Sequence, residues 1–203
     1  MLSVNTAVLV SGGGTNLQAL IDASARGELP SVGLELVVSN RPGAYALTRA
    51  ENAGIPGLFI PNGPDFEAEL EAELAARGIE MIILAGFLRI LSAGFIDRWQ
   101  GRIINVHPSL IPSFCGKGFY GLRVHEAALA RGVKVTGATV HIVTAEADAG
   151  PILLQKAVCI EEGDTPEILQ RRVMEQAEWK LLPQAAEMLA QRLSIKDISE
   201  QGE

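Results

Sequence analysis

Short, fully apolar runs alternate along this chain with longer segments of helical periodicity, and that alternation limits what it can fold into. Residues 6–10 (TAVLV), 34–38 (LELVV), 57–60, 81–85 (MIILA) and 102–106 read as strands. Between them lie helical segments: one opening at Thr15 with Leu17, Leu20 and Ile21 on one face, another over 44–53, and an Ala/Glu/Leu-rich one over 65–77. A further helical stretch is expected from Phe87 to Trp99. Strands separated by helices of this length pair in parallel through right-handed βαβ units. Runs such as MIILA suit a sheet covered on both faces. The expected fold is therefore α/β: a doubly wound, mostly parallel, Rossmann-like sheet with helices on both faces. Residues 140–143 and 152–160 are strand runs joined by a turn-rich loop, so the sheet becomes mixed toward its end. Residues 165–193 form the last helix, with a break expected near Pro183. Residues 194–203 read as a polar, fraying tail. No repeat or linker divides the chain, so a single domain over 1–203 is expected.

Composition narrows the function classes. With 203 residues the chain can bury a core without covalent staples. Its net charge of −7 argues against non-specific nucleic-acid binding, which needs a basic footprint. Cys115 and Cys159 make no disulfide framework. The N-terminus lacks the basic and apolar regions of a secretory signal. The longest mostly apolar stretch, residues 81–91, contains Arg89 and is too short to span a bilayer. A cytoplasmic protein acting on small molecules, with no membrane or nucleic-acid partner, is the expectation, as a monomer or homodimer.

In doubly wound sheets ligands sit at the carboxyl ends of strands. Four loops qualify. The first is SGGGTN, residues 11–16, where glycines and a helix N-terminus can cradle an anion. It lacks the GK[ST] of a P-loop and the third glycine of the dinucleotide fingerprint. A plain tight turn would also use these glycines. The second is residues 86–91, whose backbone could pair with a flat heterocycle. The third opens with Asn105 and His107, two apart at a strand end and so on one face. An imidazole can exchange protons near neutrality, and an amide can stabilise an oxyanion. The fourth carries His141 and Asp148; a carboxylate meeting His107 would favour the charged imidazole. Each of these side chains could equally serve a core or a turn. Ser109, Ser113 and Cys115 lie close enough in sequence to His107 to leave an acyl route open. A site of His107, His125 and His141 on a metal is disfavoured: His125 falls on a helical stretch (LRVHEAALA) where exposure is expected, and no HxH or HExxH spacing occurs.

SGGGTNLQAL, the SN after the second strand, LAGFLRIL, NVHPSLIP, and VTGATVHIV followed by ADAGPIL together resemble the phosphoribosylglycinamide formyltransferase family of folate-dependent formyl transferases. The resemblance runs in order from about residue 4 to residue 190. It implies a catalytic trio: His107 as general acid/base, Asp148 as the carboxylate that holds it, and Asn105 as donor to the formyl oxygen. It implies substrate binding by Gly13, Gly14, Thr15, Asn16 and Glu178. It implies that Leu88, Arg89, Ile90, Leu91, Thr144, Asn105 and Asp148 bind the folate, with 10-formyltetrahydrofolate as formyl-donating co-substrate and no metal. The chain departs from the family in its longer, glycine-rich loop 113–121 and in Trp179, where many members carry histidine. Close to Phe66 in sequence no arginine matches the one that some members use on the folate tail, which leaves Arg41 or Lys117 as substitutes.

The implied chemistry is direct attack by the substrate amine on the formyl carbon. A formyl-folate hydrolase would use the same trio on water, and usually carries an added N-terminal domain. A methionyl-tRNA formyltransferase would need an RNA-binding domain. A nucleotide-binding module would keep SGGGTN without needing the trio.

Overall fold

The computed structural model describes residues 3–200, with side chains to Ile195. The fold class is the expected one, α/β with seven strands in a mostly parallel sheet flanked by helices. The chain forms two compact units, one of the residues up to Leu91 together with those from Pro183 onward, the other Ser92–Leu182.

The first unit holds strands β1 (Val4–Val10), β2 (Val32–Ser39), β3 (Gly57–Phe59) and β4 (Met81–Leu84). Their order is β3-β2-β1-β4, with β3/β2, β2/β1 and β1/β4 all parallel. Helices α1 (Thr15–Ala25), α2 (Tyr45–Asn52) and α3 (Phe66–Ala76) make the crossovers. The chain winds from β1 outward to β3, then returns to the other side of β1. The β1/β4 boundary is thus a topological switch point, where crossovers leave in opposite directions and a crevice opens at the strand ends. Ala7, Val8, Leu9, Leu36, Val37, Val38, Ile82 and Ile83 are fully buried, against Leu17, Leu20, Leu70 and Leu74 from the helices. Each such aliphatic side chain contributes roughly 1.5–3 kcal/mol.

The second unit holds α4 (Ala93–Arg98), β5 (Ile103–His107), α5 (Leu122–Arg131), β6 (Val135–Ile142), β7 (Ile152–Cys159) and α6 (Pro166–Val173). Here β5 pairs with β6, and β6 with β7, all antiparallel, which is the mixing expected from the sequence. The β5/β6 register sets Asn105 opposite His141 and His107 opposite Thr139. The Thr165 hydroxyl caps α6 at the Ile168 amide, with Pro166 at its first turn.

Four local expectations are corrected. Helix does not run from Phe87 to Trp99; only Ala93–Arg98 is helical. Ser92 caps α4 by accepting from the Phe95 amide, and the Leu88 amide is drawn to the Ser11 hydroxyl, which holds residues 87–92 out of a helix. His125 is not exposed but fully buried, because it shares the inward face of α5 with Val124 and Ala128. Strand β6 begins five residues earlier than residue 140. The last helix is not broken at Pro183. It passes through Pro183 as α7 (Trp179–Glu200), and a π-helical turn, Met174–Glu178, lies just before it, with the Trp179 amide reaching back to the Met174 carbonyl. A proline removes its own amide and crowds the carbonyl four residues back, so the preceding turn widens. Helix thus continues through residues 194–200 of the expected tail, and residues 201–203 lie outside the described residues. Among the described residues no helix is long and apolar enough to cross a membrane.

Candidate active site

In the second unit the last residues of β5 meet the turn after β6. His107 is buried, and its Nδ1 lies 3.6 Å from Oδ2 of Asp148. Its Nε2 lies 2.9 Å from the Phe114 carbonyl. A carbonyl only accepts, so Nε2 carries a hydrogen, and Nδ1 is the nitrogen presented to the carboxylate. Asp148 sits in the left-handed region at φ 55°, a conformation that aspartate tolerates better than most residues. Burial alone would raise its carboxyl. A hydrogen bond from His141, the Gly116 amide at 2.8 Å and the charge of His107 outweigh that and hold it below the usual carboxylate range.

The sequence reading named His141 but gave it no role. The structure brings its Nε2 to 3.6 Å from Oδ1 of Asp148 and 3.3 Å from Nδ2 of Asn105. Its Nδ1 lies 2.9 Å from the Ile142 carbonyl and therefore carries a hydrogen. In the neutral ring Nε2 accepts from the Asn105 amide, and in the charged ring it donates toward Asp148; in either form Asn105 keeps an amide hydrogen for a ligand oxygen. The signal was present as a lone histidine alternating with Thr139 in an apolar strand, the face that antiparallel pairing turns toward Asn105 and His107. Phe114 and Gly116 act through backbone atoms and left no signal.

Two of the three nucleophile candidates are engaged elsewhere. The Ser109 hydroxyl donates to the Ser113 carbonyl at 2.6 Å, and Cys115 Sγ to the Pro112 carbonyl at 3.3 Å. Burial, then the charge of Asp148, pushes the Cys115 thiol up, the opposite of an activated thiolate. Thr144 stands at the other end of the Asp148 loop, its hydroxyl donating to the Glu146 carbonyl. Glu178 closes the π turn and is buried. Among the described residues no three His, Cys, Asp or Glu side chains are grouped as a metal cage.

His125 is a separate matter. Neither ring nitrogen has a hydrogen-bond partner, and burial, helped by His107, pushes its pKa down to about 4. It stays neutral in the folded state while the unfolded chain takes up a proton near pH 6.5. Stability is therefore lost as pH falls from about 6.5 to 4, by on the order of 3 kcal/mol. His125→Leu is expected to flatten that acid limb in urea titrations at pH 7 and pH 4.5. An unchanged slope would remove His125 as its source.

In the first unit, two expected segments emerge at the switch point. Gly14 takes φ 74°, and a Cβ there would lie 2.6 Å from the Ala46 Cβ, so only glycine fits. Thr15 and Asn16 open α1, whose N-terminal amides and dipole favour an anion. Residues 86–91 follow β4. The Ser11 amide donates to the Gly86 carbonyl, and the Ser11 hydroxyl accepts from the Leu88 amide at 2.8 Å while donating to Asn40 at 2.7 Å. Ile90 is 81% exposed and Leu88 47%, while Leu91 is buried. Arg89 turns back on its own unit: it donates to Asn62 and the Gly63 carbonyl and lies over the Phe66 ring at 4.5 Å. Its side chain thus anchors the segment on the first unit.

A strand-end amide, two histidines and a depressed carboxylate are gathered here, groups that can exchange protons and donate to an oxygen. This chain belongs to the formyl transferase family, whose model matches residues 4–186. It is 37% identical over 197 residues to the phosphoribosylglycinamide formyltransferase of Haemophilus influenzae, covering 94% of this chain and 90% of that protein. It is 44% identical over 189 residues to the human trifunctional purine biosynthetic protein adenosine-3, covering 91% of this chain but spanning only 18% of that protein. Its structure matches glycinamide ribonucleotide transformylase 1 of Symbiobacterium toebii with a TM-score of 0.86 at 40% identity, covering 93% and 88% of the two chains. A formyltetrahydrofolate deformylase of Pseudomonas syringae also matches, with a TM-score of 0.84 at 26% identity, covering 94% of this chain and 62% of that one.

Proposed function

We propose that this chain, over residues 1–203, transfers the formyl group of 10-formyltetrahydrofolate to the amine of 5-phosphoribosylglycinamide in de novo purine synthesis, acting in the cytoplasm as a monomer or homodimer. The observation that carries this is the joining of Asn105, His107 and Asp148 around His141 in a member of the formyl transferase family. Gly13, Gly14, Thr15 and Asn16 take the substrate's phosphate, and Glu178 contacts the rest of the ribonucleotide. Leu88, Arg89, Ile90, Leu91 and Thr144 line the folate's site, chiefly through backbone groups.

The amine attacks the formyl carbon and makes a tetrahedral oxyanion. The free Asn105 amide hydrogen and a protonated His107 stabilise it. Asp148 orients His107 and balances its charge. A proton passes from the new ammonium to N10 of the folate, through His107 or a water beside Asp148. The carbon–N10 bond then breaks, releasing tetrahydrofolate and the formylated product. Holding both reactants in place supplies much of the rate, and no covalent intermediate is needed.

The likeness to a deformylase favours one second reading, hydrolysis of the formyl donor by water. Absorbance assays of 10-formyltetrahydrofolate separate the two. Formyl loss only with the ribonucleotide present is the expected result. Equal loss without it establishes the hydrolase. No loss in either case, with the ribonucleotide still bound, leaves a binding module and ends the catalytic reading.

A further inference from the structure

Two consecutive carbonyls of the glycine loop are held by α2, and a third starts the hydrogen bonding of α1. The Gly12 carbonyl accepts from the Ala46 amide at 3.2 Å, the Gly13 carbonyl from Nε of Arg49 at 2.8 Å, and the Gly14 carbonyl from the Gln18 amide at 2.9 Å. In a trans peptide the C=O and the following N–H point in opposite directions. The contacts from α2 therefore turn the amides of Gly13 and Gly14 away from α2. Arg49 is itself fixed. Its Nη1 donates to Oε1 of Gln18 at 2.8 Å, Gln18 donates onward to Asp22, and the guanidinium lies 4.9 Å over the Tyr45 ring.

We propose that Arg49 is a positioning residue for the phosphate of the ribonucleotide: it grips the Gly13 carbonyl so that the Gly14 amide is aimed at the phosphate. A guanidinium on a carbonyl also polarises that peptide, which makes its amide a better donor to an anion. Its charge adds to the positive end of α1. Arg49 thus serves selectivity for a charged phosphomonoester over a neutral riboside. The inference rests on the phosphate role proposed for Gly13–Asn16.

The test uses Arg49→Gln and Arg49→Lys in the full chain, with KM for both substrates, kcat, and competitive inhibition by inorganic phosphate. Arg49→Gln is expected to raise the ribonucleotide KM and the phosphate Ki together by about tenfold, the usual effect of one charge-assisted contact. The KM for the formyl donor should stay put, and the loss should fall on KM rather than kcat. Arg49→Lys keeps a charged donor without the fork and should land between wild type and Arg49→Gln. It also carries the same comparison if Arg49→Gln fails to fold. An unchanged ribonucleotide KM, or an equal rise in both KM values, overturns the inference. A wild-type protein that neither saturates with ribonucleotide nor is inhibited by phosphate defeats the underlying reading, and that failure shows before any variant is made.

Discussion

Turnover by His107→Ala and by Asp148→Asn is expected to fall about 100-fold or more each, with ribonucleotide affinity largely kept. His107 is held between the Phe114 carbonyl and Asp148; once its Nε2 hydrogen turns from that carbonyl to the substrate it serves as proton carrier and oxyanion donor, and its loss removes both. The Asp148→Asn variant is a clean probe because asparagine also tolerates the left-handed backbone found at φ 55°. Its side-chain oxygen can still accept from the Gly116 amide, so the loop stays in place while the negative charge is removed. Since the native carboxyl lies below its usual range, its charge stabilises the fold above the unfolded value near pH 3.9, and that contribution is lost as pH falls through the lower native value. Asp148 therefore stays ionised throughout the neutral range. Single-turnover rates near wild type for either variant would remove the assigned role.

Gly150→Ala should be the most disruptive single methyl in this region. The added Cβ would sit 1.8 Å from the Ile142 carbonyl oxygen and 2.9 Å from its carbon, both backbone atoms that cannot rotate aside. Relief requires the end of β6 or the Asp148 loop to move by more than an ångström. That carbonyl is the partner of His141 Nδ1, and the Ile142 amide donates to the Pro151 carbonyl at 2.9 Å. The same displacement would therefore release His141 and shift Asp148. A destabilisation of about 3 kcal/mol or more is expected, lowering Tm by on the order of 10 °C, together with loss of turnover. Gly63→Ala is the control, since its Cβ would meet only the Pro61 carbonyl at 4.0 Å, and it should stay within about 0.5 kcal/mol. Calorimetry showing equal Tm values for Gly150→Ala and wild type would refute the close-approach argument.

Much of this was legible in the chain because it depends on local chemistry. The apolar runs at β1, β2 and β4 allow little except buried parallel strands, and the glycines after β1 allow little except a tight turn into a helix. Asn105 and His107 share a face by strand alternation alone. What was not legible depends on partners distant in sequence. Residues 87–92 look helical by periodicity, yet Ser11, 77 positions upstream, takes the Leu88 amide. His125 reads as a polar position on a helix, and its burial follows from which face α5 turns inward.

The sequence by itself determined the α/β class, the glycine loop and the residue types of the acid–base centre, because period, turn chemistry and side-chain chemistry are properties of neighbouring residues. Only the tertiary structure decided that His141 joins Asn105 to Asp148, that the Phe114 and Gly116 backbone groups hold His107 and Asp148, and that Arg49 grips the glycine loop. The Asn105–His141, Gly116–Asp148 and Gly13–Arg49 contacts join residues 32 to 36 positions apart, and those of Phe114 and Gly116 use backbone atoms common to every residue, so packing had to choose among partners that the sequence leaves equivalent.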